Sequence, residues 1–112
     1  MINPRRRKVV ISRYKLCKSA FCHFKGLMLS KKPDFALVFV FRTEKRRSLH
    51  MFFVFYPIDL LFLDSKKKVV EIKENFMPFS FYFPRKKSRF VVELPSGAVK
   101  NSNTRMGDTI SF

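Results

Sequence analysis

The stretch Leu49-His50-Met51-Phe52-Phe53-Val54-Phe55-Tyr56-Pro57-Ile58-Asp59-Leu60-Leu61-Phe62-Leu63-Asp64 carries the reading of the fold. Aromatic and aliphatic side chains dominate it from Leu49 to Tyr56, and they suit a pleated, covered surface. As a strand it puts Leu49, Met51, Phe53 and Phe55 on one face and His50, Phe52, Val54 and Tyr56 on the other. Pro57 lacks a backbone N–H and breaks the ladder, so Leu60 to Leu63 is expected to resume as a separate strand. Asp59 is then a carboxylate inside an apolar run. Buried without partners it would be costly, so it either accepts hydrogen bonds that hold the strand break or meets a cationic ligand. The first is the default reading.

Working outward, Phe35 to Phe41 is apolar at every position, which predicts a strand covered on both faces. Lys8 to Leu16 is a first strand with Val9 and Ile11 on one face, and Arg42 to Ser48 a charged turn. Ser19 is placed to cap a short helix from Ala20 to Lys25, which Gly26 ends. Downstream, Asp64-Ser65-Lys66 turns into a strand from Lys68 to Lys73 with one wet face. A crossing loop from Phe76 to Pro84 follows, then a strand from Arg89 to Leu94. After the Pro95-Ser96-Gly97 turn comes a polar connection, Ala98 to Met106, and a terminal strand, Thr109 to Phe112. About seven or eight strands and one short helix define an all-β class.

Three motifs sharpen this reading: Gly26-Leu27-Met28, Pro57-Ile58-Asp59 and Glu93-Leu94-Pro95-Ser96-Gly97. With them the chain resembles the uncharacterised archaeal and bacterial proteins grouped as domain of unknown function 192. The resemblance implies a compact jelly-roll-like β-barrel or sandwich. It carries no reaction. A pocket or cleft near Gly26, Met28, His50, Met51 and Asp59 is expected, because the matching motifs form turns or line a pocket and none is catalytic. One departure is Leu29-Ser30, where the family commonly has an apolar residue and arginine.

Composition fits a single domain, residues 8–112, behind a basic N-terminal tail, residues 1–7. At 112 residues with 46% hydrophobic content, the chain can bury a core without disulfides or metals. Fifteen Phe and no Trp make that core flat and bulky. Cys17 and Cys22 have neither zinc-hairpin nor redox spacing, and no metal or cofactor is expected. Polar residues from Ser12 to Lys15 interrupt any export signal, so a cytoplasmic location is expected. Neither apolar run reaches the roughly 20 residues of a membrane helix. There is no Gly-x-Ser-x-Gly elbow, phosphate-cradling glycine loop or His-Glu-x-x-His helix, so an enzyme is the third reading.

The charge is extreme: 24 Lys and Arg against 8 Asp and Glu give a formal +16. Such a chain attracts polyanions. Phe79, Phe81, Tyr82, Arg85, Lys86, Lys87 and Arg89 interleave rings with cations, a pattern that suits single-stranded nucleic acid. The default expectation is instead that Phe79, Phe81 and Phe83 point inward and Tyr82 outward. Solvent exposure of the rings separates the two. The primary functional reading is a binding or accessory module with an unidentified ligand or protein partner; nucleic-acid binding is the alternative.

Overall fold

The computed structural model describes residues 1–17, 36–46, 49–50, 57–77 and 81–112, leaving aside the side chains of Lys15, Cys17, Leu49 and His50. Within them the chain forms β1 (Ile2–Asn3), β2 (Lys8–Val9), β3 (Tyr14–Cys17), β4 (Ala36–Lys45), β5 (Leu49–His50), β6 (Ile58–Leu63), β7 (Val69–Phe76), β8 (Phe81–Tyr82), β9 (Ser88–Pro95) and one short helix, α1 (Ala98–Asn101). Five strands build the main sheet in the order β3-β4-β9-β6-β7, while β1-β2 and β5-β8 form separate pairs. β3 runs parallel to β4, and the other neighbours in the sheet are antiparallel. The fold is all-β and sandwich-like; the sheet is not closed into a barrel, so the sandwich half of the expectation is the one that applies.

The apolar runs explain why β4, β6 and β9 are central. β6 is buried at every position, as a strand covered on both faces must be. Successive side chains divide between two clusters. Val38, Leu61, Leu63, Val92 and Leu94 join Met1, Val10, Val99 and Ile110 on one side. Leu37, Phe39, Ile58, Leu60, Phe62, Phe76 and Val91 form the other.

Several local expectations are corrected. The strand expected from Lys8 to Leu16 is two strands, β2 and β3. β4 continues through Lys45, so Arg42 to Lys45 is strand where a charged turn was expected. Ala98–Asn101 is helical where a plain connection was expected. The end of the chain makes isolated bridges, Lys68 with Thr109 and Ile2 with Ser111, in place of a terminal strand. The helix expected from Ala20 to Lys25 and most of the run from Leu49 to Tyr56 lie outside the described residues.

Within residues 1–7, several groups pack against residues 104–111. Met1 and Asn3 are buried, and Ile2 exchanges backbone hydrogen bonds with Ser111. The anchor is the fully buried Asp108. Its carboxylate accepts hydrogen bonds from Asn3 Nδ2 at 3.0 Å, Arg6 Nε at 3.0 Å and the Arg105 amide at 2.9 Å. Burial alone would push this carboxyl up, but Asn3, Arg105 and Arg6 together hold it below the ordinary value. The Asp108 contribution is therefore present above the unfolded-state pKa and is lost as pH falls. Asp108→Asn is expected to cost about 2 kcal/mol at pH 7 and to flatten the acid limb of stability, as read by urea unfolding at pH 7 and pH 3.

Candidate functional site

Glu71 organises the aromatic and basic segment. Its place in β7 is opposite Phe62 of β6, on the sheet face that carries the second apolar cluster. The side chain is 9% exposed, and its oxygens are occupied. Oε2 accepts a hydrogen bond from the Tyr82 hydroxyl. Oε1 accepts from the backbone N–H groups of Arg85 at 2.8 Å and Lys86 at 2.9 Å. One carboxylate thus ties β7 to β8 and to the turn after it.

The Tyr82 ring lies on this apolar floor, 5.6 Å from the Phe62 ring and 6.3 Å from Phe76, with Lys73 Nζ 5.8 Å from its centroid. Burial first, and then the bond to Glu71, push its hydroxyl up to about 12. Because strand side chains alternate, an inward Tyr82 turns its neighbours outward. Phe81 is 56% exposed and Phe83 70% exposed, with their rings stacked at 6.2 Å and 10°. This reverses the expectation that these phenylalanines close the core while Tyr82 faces solvent. The reason is chemical: the inward position offers both an apolar floor and a buried acceptor, and a phenol satisfies both where a phenyl ring satisfies one.

Arg85, Lys86 and Lys87 follow as exposed cations. Arg89 behaves differently. Its Nε donates to the Phe41 carbonyl at 3.1 Å, and its guanidinium sits 5.5 Å from the Phe90 ring, so it serves the sheet as well as the surface. Phe79 lies outside the described residues.

The residues expected to line a pocket are only partly brought together. Gly26, Met28 and Met51 lie outside the described residues. His50 pairs with Phe81 in the β5-β8 ladder, which sets its backbone beside the aromatic segment. Asp59 is 1% exposed and has three backbone partners. Oδ1 accepts from Asn75 N–H at 2.9 Å; Oδ2 accepts from Gly97 at 3.0 Å and Val99 at 3.1 Å. Asn75 and Gly97 both have positive φ, 52° and 95°, so the carboxylate fixes two tight bends at once.

Glu93 lies on the opposite face. Leu60 of β6 and Leu37 of β4 flank it in register, whereas Asp59 pairs with Leu94. Glu93 is 8% exposed, and its Oε2 is buried without a hydrogen-bond partner among the described residues. Burial in this apolar row pushes its carboxyl up to about 8. It is therefore largely a neutral acid at pH 7, able to donate a proton in a hydrogen bond.

The profile of the family described as DUF192, uncharacterized ACR, matches residues 2–112. The chain belongs to the DUF192 family. Its relatives include a UPF0127 protein of Thermococcus sibiricus, 38% identical over all of this chain and 73% of that protein. One from Pyrococcus furiosus is 31% identical over all of this chain and 97% of its own length. A crystal structure from Sinorhizobium meliloti 1021, described as a "putative transcription regulator", superposes with a TM-score of 0.77 at 28% identity, covering 86% of this chain and 78% of that one. A protein of unknown function from Novosphingobium aromaticivorans superposes with a TM-score of 0.79 at 18% identity, covering 88% of this chain and 74% of that one, and shares the fold.

In this DUF192 chain the Pro57-Ile58-Asp59 and Glu93-Leu94-Pro95-Ser96-Gly97 motifs meet through the Asp59 bond to the Gly97 amide. Sequence reasoning singled out Asp59 but noted Glu93 only as part of a matching motif, and gave Glu71 no role. An acid inside Val69-Val70-Glu71-Ile72 was a signal, but alternation alone assigns it to a wet face. Among the described residues, no group of three or more His, Cys, Asp or Glu could hold a metal, and no helix is long and apolar enough to cross a membrane.

Proposed function

We propose that this DUF192 protein is a cytoplasmic, sequence-tolerant binding module for single-stranded nucleic acid. The observation that carries the reading is the exposed, stacked Phe81–Phe83 ring pair followed at once by Arg85, Lys86 and Lys87. Rings take unpaired bases on their faces, and the cations hold the phosphate backbone. Duplex DNA hides its base faces, so single strands are the preferred class. The description of the Sinorhizobium structure as a "putative transcription regulator" supports nucleic acid as the ligand class, without distinguishing single from double strands.

Fluorescence anisotropy with labelled oligothymidylate, oligouridylate and duplex DNA across a salt series tests this. Phe81→Ala and Phe83→Ala should each weaken single-strand binding about tenfold, the low end of the stacking range. Lys86→Ala should instead reduce the slope of log affinity against log salt by about 0.7, the value for one phosphate contact on a single strand. Binding no tighter than that of a charge-matched basic protein, and indifferent to both phenylalanines, would sink the reading.

A second reading, a pocket for a small ligand, draws its support from Glu93, whose Oε2 lacks a partner among the described residues. Asp59 supports it less, because three amides already engage its carboxylate.

A further inference from the structure

We propose that Glu71 is the positioning residue of the nucleic-acid face: its carboxylate presets the Phe81–Phe83 platform and the basic turn for a single strand before any ligand arrives. This rests on the nucleic-acid reading above and assigns a role to an acid that never touches the ligand.

The geometry is specific. Three donors from two separate places converge on one side chain, namely the Tyr82 hydroxyl from β8 and the amides of Arg85 and Lys86 from the following turn. Fixing Tyr82 inward settles the side to which Phe81 and Phe83 project, since the strand alternates. Fixing two successive amides inward leaves the Arg85 and Lys86 side chains to solvent, where both are exposed. β8 is only two residues long, so its two-residue ladder with β5 cannot hold the segment in register alone. Without Glu71 the rings would have to be ordered at the moment of binding, and affinity would fall by that ordering cost.

Electrostatics makes the test sharp. Removing an acid raises the formal charge above +16, so a purely coulombic view has Glu71→Ala bind a polyanion more tightly. Positioning demands the opposite sign. The experiment measures Kd for labelled oligothymidylate with wild type, Glu71→Ala, Glu71→Gln and Tyr82→Phe, each checked for folding by circular dichroism. Glu71→Ala should bind about tenfold more weakly with an unchanged salt slope, and Glu71→Gln, which keeps an acceptor for the two amides, about threefold. Ultraviolet titration of the tyrosines supplies a readout independent of nucleic acid. The Tyr82 hydroxyl, pushed up to about 12, should fall back towards 10 in Glu71→Gln as one of its causes is removed.

Equal or tighter binding by folded Glu71→Ala and Glu71→Gln overturns the role while leaving the nucleic-acid reading intact. Failure of wild type to bind above a basic control overturns both. An unchanged Tyr82 titration in Glu71→Gln overturns the clamp whatever the binding result.

Discussion

Raising the pH from 5 to 9 is expected to remove about 4 kcal/mol of stability through Glu93 alone. The carboxyl titrates at about 8 in the fold against an ordinary 4.5, because burial between Leu37 and Leu60 penalises the charged form. The folded chain therefore holds a proton that the unfolded chain has already released. The Glu93 contribution is complete below pH 4.5 and is lost as pH rises through 8, at about 1.36 kcal/mol per pH unit. Glu93→Gln keeps the shape and removes the titration, so its stability should be flatter across the same range. Urea unfolding at pH 5, 7 and 9 for both proteins isolates the effect by difference. Parallel profiles would mean that the Glu93 carboxylate is neutralised by a partner within the fold.

The second large effect concerns Asp59. Asp59→Ala should cost about 3 kcal/mol, because it strands the amides of Asn75, Gly97 and Val99 together. Two of those amides stand at or beside the start of α1, and the third belongs to a bend at positive φ. Asp59→Asn retains one acceptor oxygen and should cost roughly half as much. Equilibrium unfolding gives both values. A loss below about 1 kcal/mol for the alanine variant would show that water replaces the carboxylate and that the two motifs do not need each other.

These two acids show what was legible in the chain. The apolar run at Phe35 to Phe41 announced a strand covered on both faces, Leu60 to Leu63 announced a separate strand, and β4 and β6 are both inner strands of the sheet. Pro57 announced the break before β6. Asp59 stood out because its neighbours are apolar. Glu71 did not stand out and Glu93 did so only as part of a turn motif, since an acid alternating with apolar residues is the ordinary sign of a half-exposed strand. Their burial comes from non-local pairing: Glu93 lies between strands far away in the chain, and Glu71 meets a phenol and two amides from a later turn. The inward direction of Tyr82 was hidden for the same reason. Alternation fixes that Tyr82 opposes Phe81 and Phe83, but only the acceptor waiting on β7 fixes which of them faces inside.

The beginning and end of the chain bear on each other in a way that matters for anyone handling the protein. Ile2 and Ser111 exchange backbone bonds, and Asn3 and Arg6 close on Asp108. Asn3 and Arg6 lie 105 and 102 residues from Asp108 along the sequence, so these contacts join segments that are distant in the chain. The two segments are also joined to the central strands, since Met1 and Ile110 pack in one cluster with Val38, Leu61 and Val92. A substitution among residues 2–6 and one among residues 108–111 thus act on one shared seam and should be treated as neighbours rather than as independent changes.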